Sequence, residues 1–176
     1  MLQKYNRYAL MKIFLDNPTE SFRLRELSRL SKISPVSVTN YLKEFEKEGI
    51  IEKYEKRKIP FYKAVRENSN FMLYKRLSIM YELNKSGLVD YLWDKLSPQA
   101  IILYGSYAKG ESIENSDIDI FIIGKEKKIN LEEYERKLGK SIHLMFDLNP
   151  GHIPNELKNN LINGIILKGY FKVDDN

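Results

Sequence analysis

The chain of 176 residues is 43% hydrophobic and 30% charged, the composition of a soluble globular protein with one full domain or two small ones rather than of a disordered chain. It has no cysteine, which excludes a disulfide framework, a thiolate metal site and a cysteine nucleophile. Its net charge of +5 is unevenly placed: residues 1–66 hold 15 Lys and Arg against 8 Asp and Glu, and residues 67–176 hold 14 against 16, so a polyanion-binding module is expected ahead of a near-neutral domain.

In chain order, Met1–Arg7 leads into an amphipathic pattern without a signal-peptide core, and no apolar run approaches the ~20 residues of a membrane span. A cytoplasmic protein with no membrane partner is expected. Leu2, Tyr5, Ala9, Ile13 and Phe14 recur at helical spacing up to the Asn17-Pro18 break. Ser21-Phe22-Arg23 reads as a very short strand, and Leu24, Leu27, Leu30 and Ile33 mark a helix over Leu24 to Ser31. Ser34-Pro35 is an N-cap followed by proline at the first helical position, so a third helix carries Val36, Val38, Tyr41, Leu42 and Phe45 as far as Gly49, a natural C′ residue. Ile50–Tyr54 and Pro60–Val65 read as strands around a basic turn, Glu55–Ile59.

Three helices followed by a basic hairpin resemble a winged helix-turn-helix domain, expected over residues 1–66. On the third helix Ser37, Asn40, Lys43 and Glu44 lie opposite the apolar stripe, offering hydrogen-bonding and cationic groups of the kind that reach base edges and phosphates in a major groove. Lys56, Arg57 and Lys58 at the hairpin tip would neutralise backbone phosphates and make DNA binding strongly salt-dependent. The same surfaces would also suit a solvated helix face and a protein–protein contact.

Residues 67–97 read as a helical connector. Asn68-Ser69-Asn70 offers N-caps to a helix carrying Phe71, Tyr74, Leu77, Met80, Tyr81 and Leu83, and Ser86-Gly87 separates it from a second carrying Leu88, Leu92, Trp93 and Leu96. Its aromatic and Met content suits interdomain or homodimer packing rather than a cofactor box.

The last stretch, residues 98–176, holds the chemistry. Ala100–Tyr104 reads as a buried strand between Pro98 and Gly105, and Gly105-Ser106 opens a short helical turn whose backbone N–H groups can receive a phosphate. Asp117 and Asp119 stand at the start of an apolar strand, Asp117–Ile123; two apart, their carboxylates project from one face. Two carboxylates beside a phosphate-binding turn are what Mg²⁺-assisted phosphoryl or nucleotidyl transfer requires. The order is βαβ-like. A helix carrying Leu131, Tyr134 and Leu138, a strand Ser141–Phe146, a helix Pro154–Asn163 and a strand Ile165–Lys168 complete a mixed sheet with flanking helices, and the whole chain is of the α+β class.

The run Gly105-Ser106-Tyr107-Ala108-Lys109-Gly110-Glu111 followed by Ser116-Asp117-Ile118-Asp119-Ile120-Phe121 resembles the polymerase-beta-like nucleotidyltransferases, and within them the minimal nucleotidyltransferases, over Pro98 to Phe171. The resemblance implies that Gly105 and Ser106 hold the triphosphate of an NTP. It implies that Asp117 and Asp119 bind Mg²⁺ (or Mn²⁺), and that an NMP passes to a hydroxyl, on a protein acceptor in two-component toxin–antitoxin modules. Lys109 would add positive charge near the phosphates, unless it is simply a solvated lysine; Glu111 suits a surface role.

One departure stands out. The family supplies a third carboxylate from the next strand, where this chain has Ile142-His143-Leu144-Met145. Asp147 shares face parity with His143, but four residues along a strand is ~13 Å, too far for it to substitute. Histidine side chains exchange protons near neutrality, so His143 stands as a candidate general base or metal ligand, and imidazole suits Zn²⁺ or Mn²⁺ better than Mg²⁺. His152 reads as a loop residue without a role. Two functions follow as expectations: a Mg²⁺-dependent nucleotidyltransferase with a DNA-binding domain, or a DNA-binding regulator whose nucleotidyltransferase-like domain senses nucleotide or dimerises without turnover.

Overall fold

Three apolar clusters organise the described residues. The computed structural model describes residues 5–148 and 155–170; Pro154, His152 and Phe171 lie outside them, as do Met1–Lys4. The chain divides into two compact units, Met1–Ser78 and Ile79–Asn176.

In the first unit, helix α1 (Asn6–Asp16) buries Leu10, Met11, Phe14 and Leu15, which share one face. Asn17 ends it, its side-chain amide donating to the Ile13 carbonyl at 2.9 Å, and Pro18 cannot continue it. Strand β1 (Ser21–Phe22) leads to α2 (Leu24–Ser31), where the Glu26 carboxylate accepts from the Arg23 backbone N–H at 3.4 Å. Helix α3 (Pro35–Lys47) starts at Ser34, whose hydroxyl accepts from the Ser37 backbone N–H at 3.3 Å. Val38, Leu42 and Phe45 pack inward with Phe14, Phe22 and Phe71. Arg7 of α1 holds both Glu44 and Glu48 of the α3 end, and stands over the Phe45 ring.

Strands β2 (Ile51–Lys56) and β3 (Ile59–Ala64) complete an antiparallel sheet of order β1-β3-β2. The hairpin is tighter than the sequence suggests. Lys56 pairs with Ile59, so the turn is only Arg57-Lys58, at φ 54° and 62°. A two-residue turn whose strands must keep their right-handed twist demands positive φ at both positions, where asparagine and glycine are the easy residues. Basic side chains occupy strained backbone here, at roughly 1–2 kcal/mol per non-glycine residue. Replacing Arg57-Lys58 by Asn-Gly should therefore stabilise this unit by about 1–2 kcal/mol in urea unfolding. A lowered midpoint would show that the two cations hold the turn by contacts that outweigh its backbone strain.

Helix α4 (Ser69–Ser86) runs across the division between the units: Phe71 and Tyr74 belong to the first cluster, and Ile79 and Leu83 to the second. Lys75 is buried, and its ammonium donates to the Leu15 carbonyl at 3.0 Å.

The second unit continues with α5 (Leu88–Leu96), β4 (Ala100–Tyr104), the short α6 (Gly105–Lys109), β5 (Ile118–Ile123), α7 (Glu132–Leu138), β6 (Ile142–Asp147), α8 (Asn155–Ile162) and β7 (Ile165–Gly169). Its sheet has the order β6-β5-β4-β7, with β5 and β6 parallel and the other pairs antiparallel. The segment β4–α6–β5 is therefore not a parallel βαβ unit. The link from Tyr104 to Ile118 leaves and returns at one end of the sheet, because α6 is too short to carry the chain to the other.

All five residues of β4 are buried, as a strand covered on both faces must be. Ile101, Leu103, Ile118, Ile120 and Ile122 join the cluster of Leu88, Leu92 and Ala108. Ala100, Ile102, Tyr104, Phe121 and Ile123 face the other way, toward Leu161 of α8. Among the described residues no helix is long and apolar enough to cross a membrane.

Candidate active site

Asp119 lies at the centre of the candidate site because of sheet register. It pairs with Tyr104 at the end of β4 and with His143 near the start of β6, so three side chains stand abreast on one face. The approach to β5 is tied down. The Ser116 hydroxyl accepts from the Ile113 backbone N–H at 2.9 Å, and the Ile118 N–H donates to the Ser141 carbonyl at 2.9 Å. The start of β6 is gripped in turn by Glu135 of α7, whose carboxylate accepts from the Ile142 N–H at 2.9 Å.

Gly105 has φ +70°, and a Cβ built on it would lie 2.5 Å from Asp119 Oδ2. The turn after β4 therefore passes directly over the carboxylate, a closeness that only glycine permits. The half-buried Ser106 follows, and Gly110 ends α6 by donating to the Ser106 and Tyr107 carbonyls.

Asp117 precedes β5 and is exposed, whereas Asp119 is half-buried. Burial holds the Asp119 carboxyl above its ordinary range; His143 opposes the rise and the negative charge of Asp117 adds to it. The Tyr104 phenol is likewise raised, by burial first and then by Asp119. His143 Nδ1 lies 3.6 Å from Asp119 Oδ1, beyond hydrogen-bond reach but within ion-pair range when the imidazole is protonated. At 68% exposure, the His143 side chain faces solvent.

Gly105, Asp119 and His143 are thus brought together, with Asp117 beside them. Lys109 and Glu111 are exposed at the far end of α6. Asp147 pairs with Ile123, at the opposite end of β5 from Asp119. Tyr104 had no functional signal in the sequence. It reads there as the last apolar residue of a strand, and only the β4–β5 register sets it against Asp119.

The two carboxylates supply hard oxygen donors of the kind Mg²⁺ takes. No three His, Asp or Glu side chains converge as a metal-holding group among the described residues, which include Asp117, Asp119 and His143. The donor set thus fits an ion that shares its shell with ligand oxygens rather than one caged by protein alone.

In the first unit, Asn40 and Lys43 are exposed on α3, and Lys56, Arg57 and Lys58 are exposed at the hairpin tip. Ser37 is half-buried, and its hydroxyl meets that of Ser34 at 3.0 Å, so it takes part in the helix cap. Glu44 is ion-paired to Arg7 at 3.2 Å, which reduces the negative charge that α3 presents.

Searches of curated proteins and of solved structures return no match. Residues 87–170 match the family described as Polymerase beta, Nucleotidyltransferase. This stretch spans β4 to β7 and holds Gly105, Ser106, Asp117, Asp119 and His143, so the candidate site lies wholly within a domain similar to the nucleotidyltransferases of that family.

Proposed function

We propose that the chain is a metal-dependent nucleotidyltransferase, moving an NMP from an NTP to a hydroxyl, with a DNA-binding winged domain over residues 1–66 and a helical connector before a catalytic domain over residues 98–176. The observation that carries the catalytic part is the passage of Gly105 over Asp119, with a would-be Cβ only 2.5 Å from the carboxylate. It sets a phosphate-receiving turn against a metal-binding side chain.

In this reading Gly105 and Ser106 hold the triphosphate, and Asp117 and Asp119 hold Mg²⁺ or Mn²⁺. The bound ion supplies charge neutralisation of the polyphosphate as pyrophosphate leaves. Strand pairing on both sides fixes the Asp119 backbone. Exposed Asp117 can adapt its carboxylate to the incoming nucleotide. His143 stands where the third carboxylate would be and can take the proton of the attacking hydroxyl.

Incubation with NTPs labelled at the α-phosphate and with Mg²⁺ or Mn²⁺ tests the reading. Label transfer is expected from the wild type and not from Asp117→Asn/Asp119→Asn; equal transfer by both would sink it.

A second reading is supported by the same His143: a DNA-binding regulator whose nucleotidyltransferase-like domain binds nucleotide without turnover. His143→Asp separates the two. If the site binds but does not turn over, this variant should release pyrophosphate with Mg²⁺ at least about tenfold faster than a silent wild type. If His143 is the working base, the variant should instead lose activity.

The winged-domain part of the proposal rests on the order α1-β1-α2-α3-β2-β3 and the exposed cations of α3 and the hairpin. The partner proposed for it is duplex DNA, with α3 in the major groove and the hairpin tip on phosphates.

A further inference from the structure

The solvent face of the β1-β3-β2 sheet carries, beside the hairpin cations already proposed to meet duplex phosphates, aromatic groups that duplex binding by α3 and the hairpin tip does not use. Register places Ser21, Lys63 and Glu52 in one row across the strands, Phe61 and Tyr54 in the next, and Ile59 and Lys56 in the last. The Phe61 and Tyr54 rings are stacked, with centroids 5.7 Å apart and planes 22° from parallel. Arg23, which follows β1, sets its guanidinium 5.0 Å from the Phe61 ring centre, and Lys63 Nζ lies 5.6 Å from that of Tyr54. The one carboxylate in these rows, Glu52, is neutralised by Lys63 at 2.8 Å.

A sheet face turned to water ordinarily carries small polar or charged residues. Here Tyr54 is 37% exposed and Ile59 is 39% exposed, with Lys56, Arg57 and Lys58 directly beyond them. Because the strand order is β1-β3-β2, Phe61 lies between Arg23 and Tyr54, and Tyr54 on the edge strand is the open end of the stack.

We propose that this face binds single-stranded nucleic acid, with an unpaired base stacking on Tyr54 and phosphates held by Lys56 and the hairpin cations. Aromatic rings beside a cationic track are the features that recognise single strands, since every base has a π-face. A duplex hides those faces inside its own stack, so the surface selects unpaired bases. An acidic protein would meet the same cations but has no base for the ring.

The full-length protein tests this by fluorescence anisotropy at about 50 mM salt, where phosphate contacts are strong. The probes are an oligothymidylate of about 12 nucleotides, within the range of known single-strand sites, and an abasic strand of equal length. The oligothymidylate should bind about tenfold or more tightly than the abasic strand, and Tyr54→Ala should erase that difference while Tyr54→Phe keeps it. Duplex affinity of Tyr54→Ala should match the wild type, which separates a lost stack from a lost fold. A photoreactive 5-iodouridine strand should crosslink to Tyr54. Equal affinity for the abasic strand, or crosslinks confined to α3, would overturn the proposal and leave the duplex reading untouched.

Discussion

Gly105→Ala is expected to lower nucleotidyl transfer by about a hundredfold or more, the scale seen when one preorganised stabilising group is lost. The added methyl group would sit 2.5 Å from Asp119 Oδ2, closer than any real Cβ contact, so either the turn lifts or the carboxylate swings away. Both movements separate the turn proposed to receive phosphate from the carboxylate proposed to hold the metal. The variant also forces an L-residue to φ +70°, which costs roughly 1–2 kcal/mol on its own. Gly139 separates the two effects. It ends α7 at φ +65° with nothing within 4 Å of a would-be Cβ, so Gly139→Ala bears the backbone cost without the collision. Thermal melting should fall in both variants, and α-label transfer should collapse only in Gly105→Ala. Transfer within about threefold of wild type in Gly105→Ala would show that the close approach is incidental to catalysis.

Asp119→Asn should give the opposite pairing of effects: transfer lost by about a hundredfold or more, and stability gained at neutral pH. Burial raises the Asp119 carboxyl above its ordinary value of 3.8 in the folded chain, so the native state binds its proton more readily than the unfolded state does. Stability from this group is complete below pH 3.8 and is lost as pH rises through the folded-state value. At pH 7 the ionised carboxylate is thus a net cost that the amide removes. The melting temperature of Asp119→Asn should exceed that of the wild type at pH 7, and the two should converge in acid. Mg²⁺ with a non-hydrolysable NTP should restore the order, because a ligand at 100 times its Kd adds about 2.7 kcal/mol to the protein that binds it. If the variant melts lower at pH 7, the raised carboxyl is not what limits stability here.

Much of the chain was legible where local chemistry decides. Leu24–Ser31 reads as a helix and is one. The Ser34-Pro35 cap starts α3 as expected, since a hydroxyl acceptor and a proline free of N–H satisfy that end without outside help. The hairpin was less clear. Arg57-Lys58 offers no asparagine or glycine signal, so the sequence reads as a longer turn, Glu55–Ile59, than the two residues that form it. The sequence pattern puts Asp117 inside the strand, but β5 starts at Ile118, where the first ladder bond to the Ser141 carbonyl forms.

Sequence by itself determined the local inventory: a Gly-Ser turn after an apolar strand, two aspartates two apart, a histidine four strand positions before Asp147, and a basic excess confined to residues 1–66. These depend on residue type and spacing, which survive without knowledge of neighbours. Tertiary structure decided which of them meet. Pairing of β5 with both β4 and β6 sets Tyr104, Asp119 and His143 abreast and sends Asp147 to the far end. Closeness of Gly105 to Asp119 follows from β4 and β5 running antiparallel, where the sequence order reads as βαβ-like. The reason is that register and strand direction are set by long-range packing of the isoleucine-rich faces, and a slip of one residue would turn every one of these side chains to the other face.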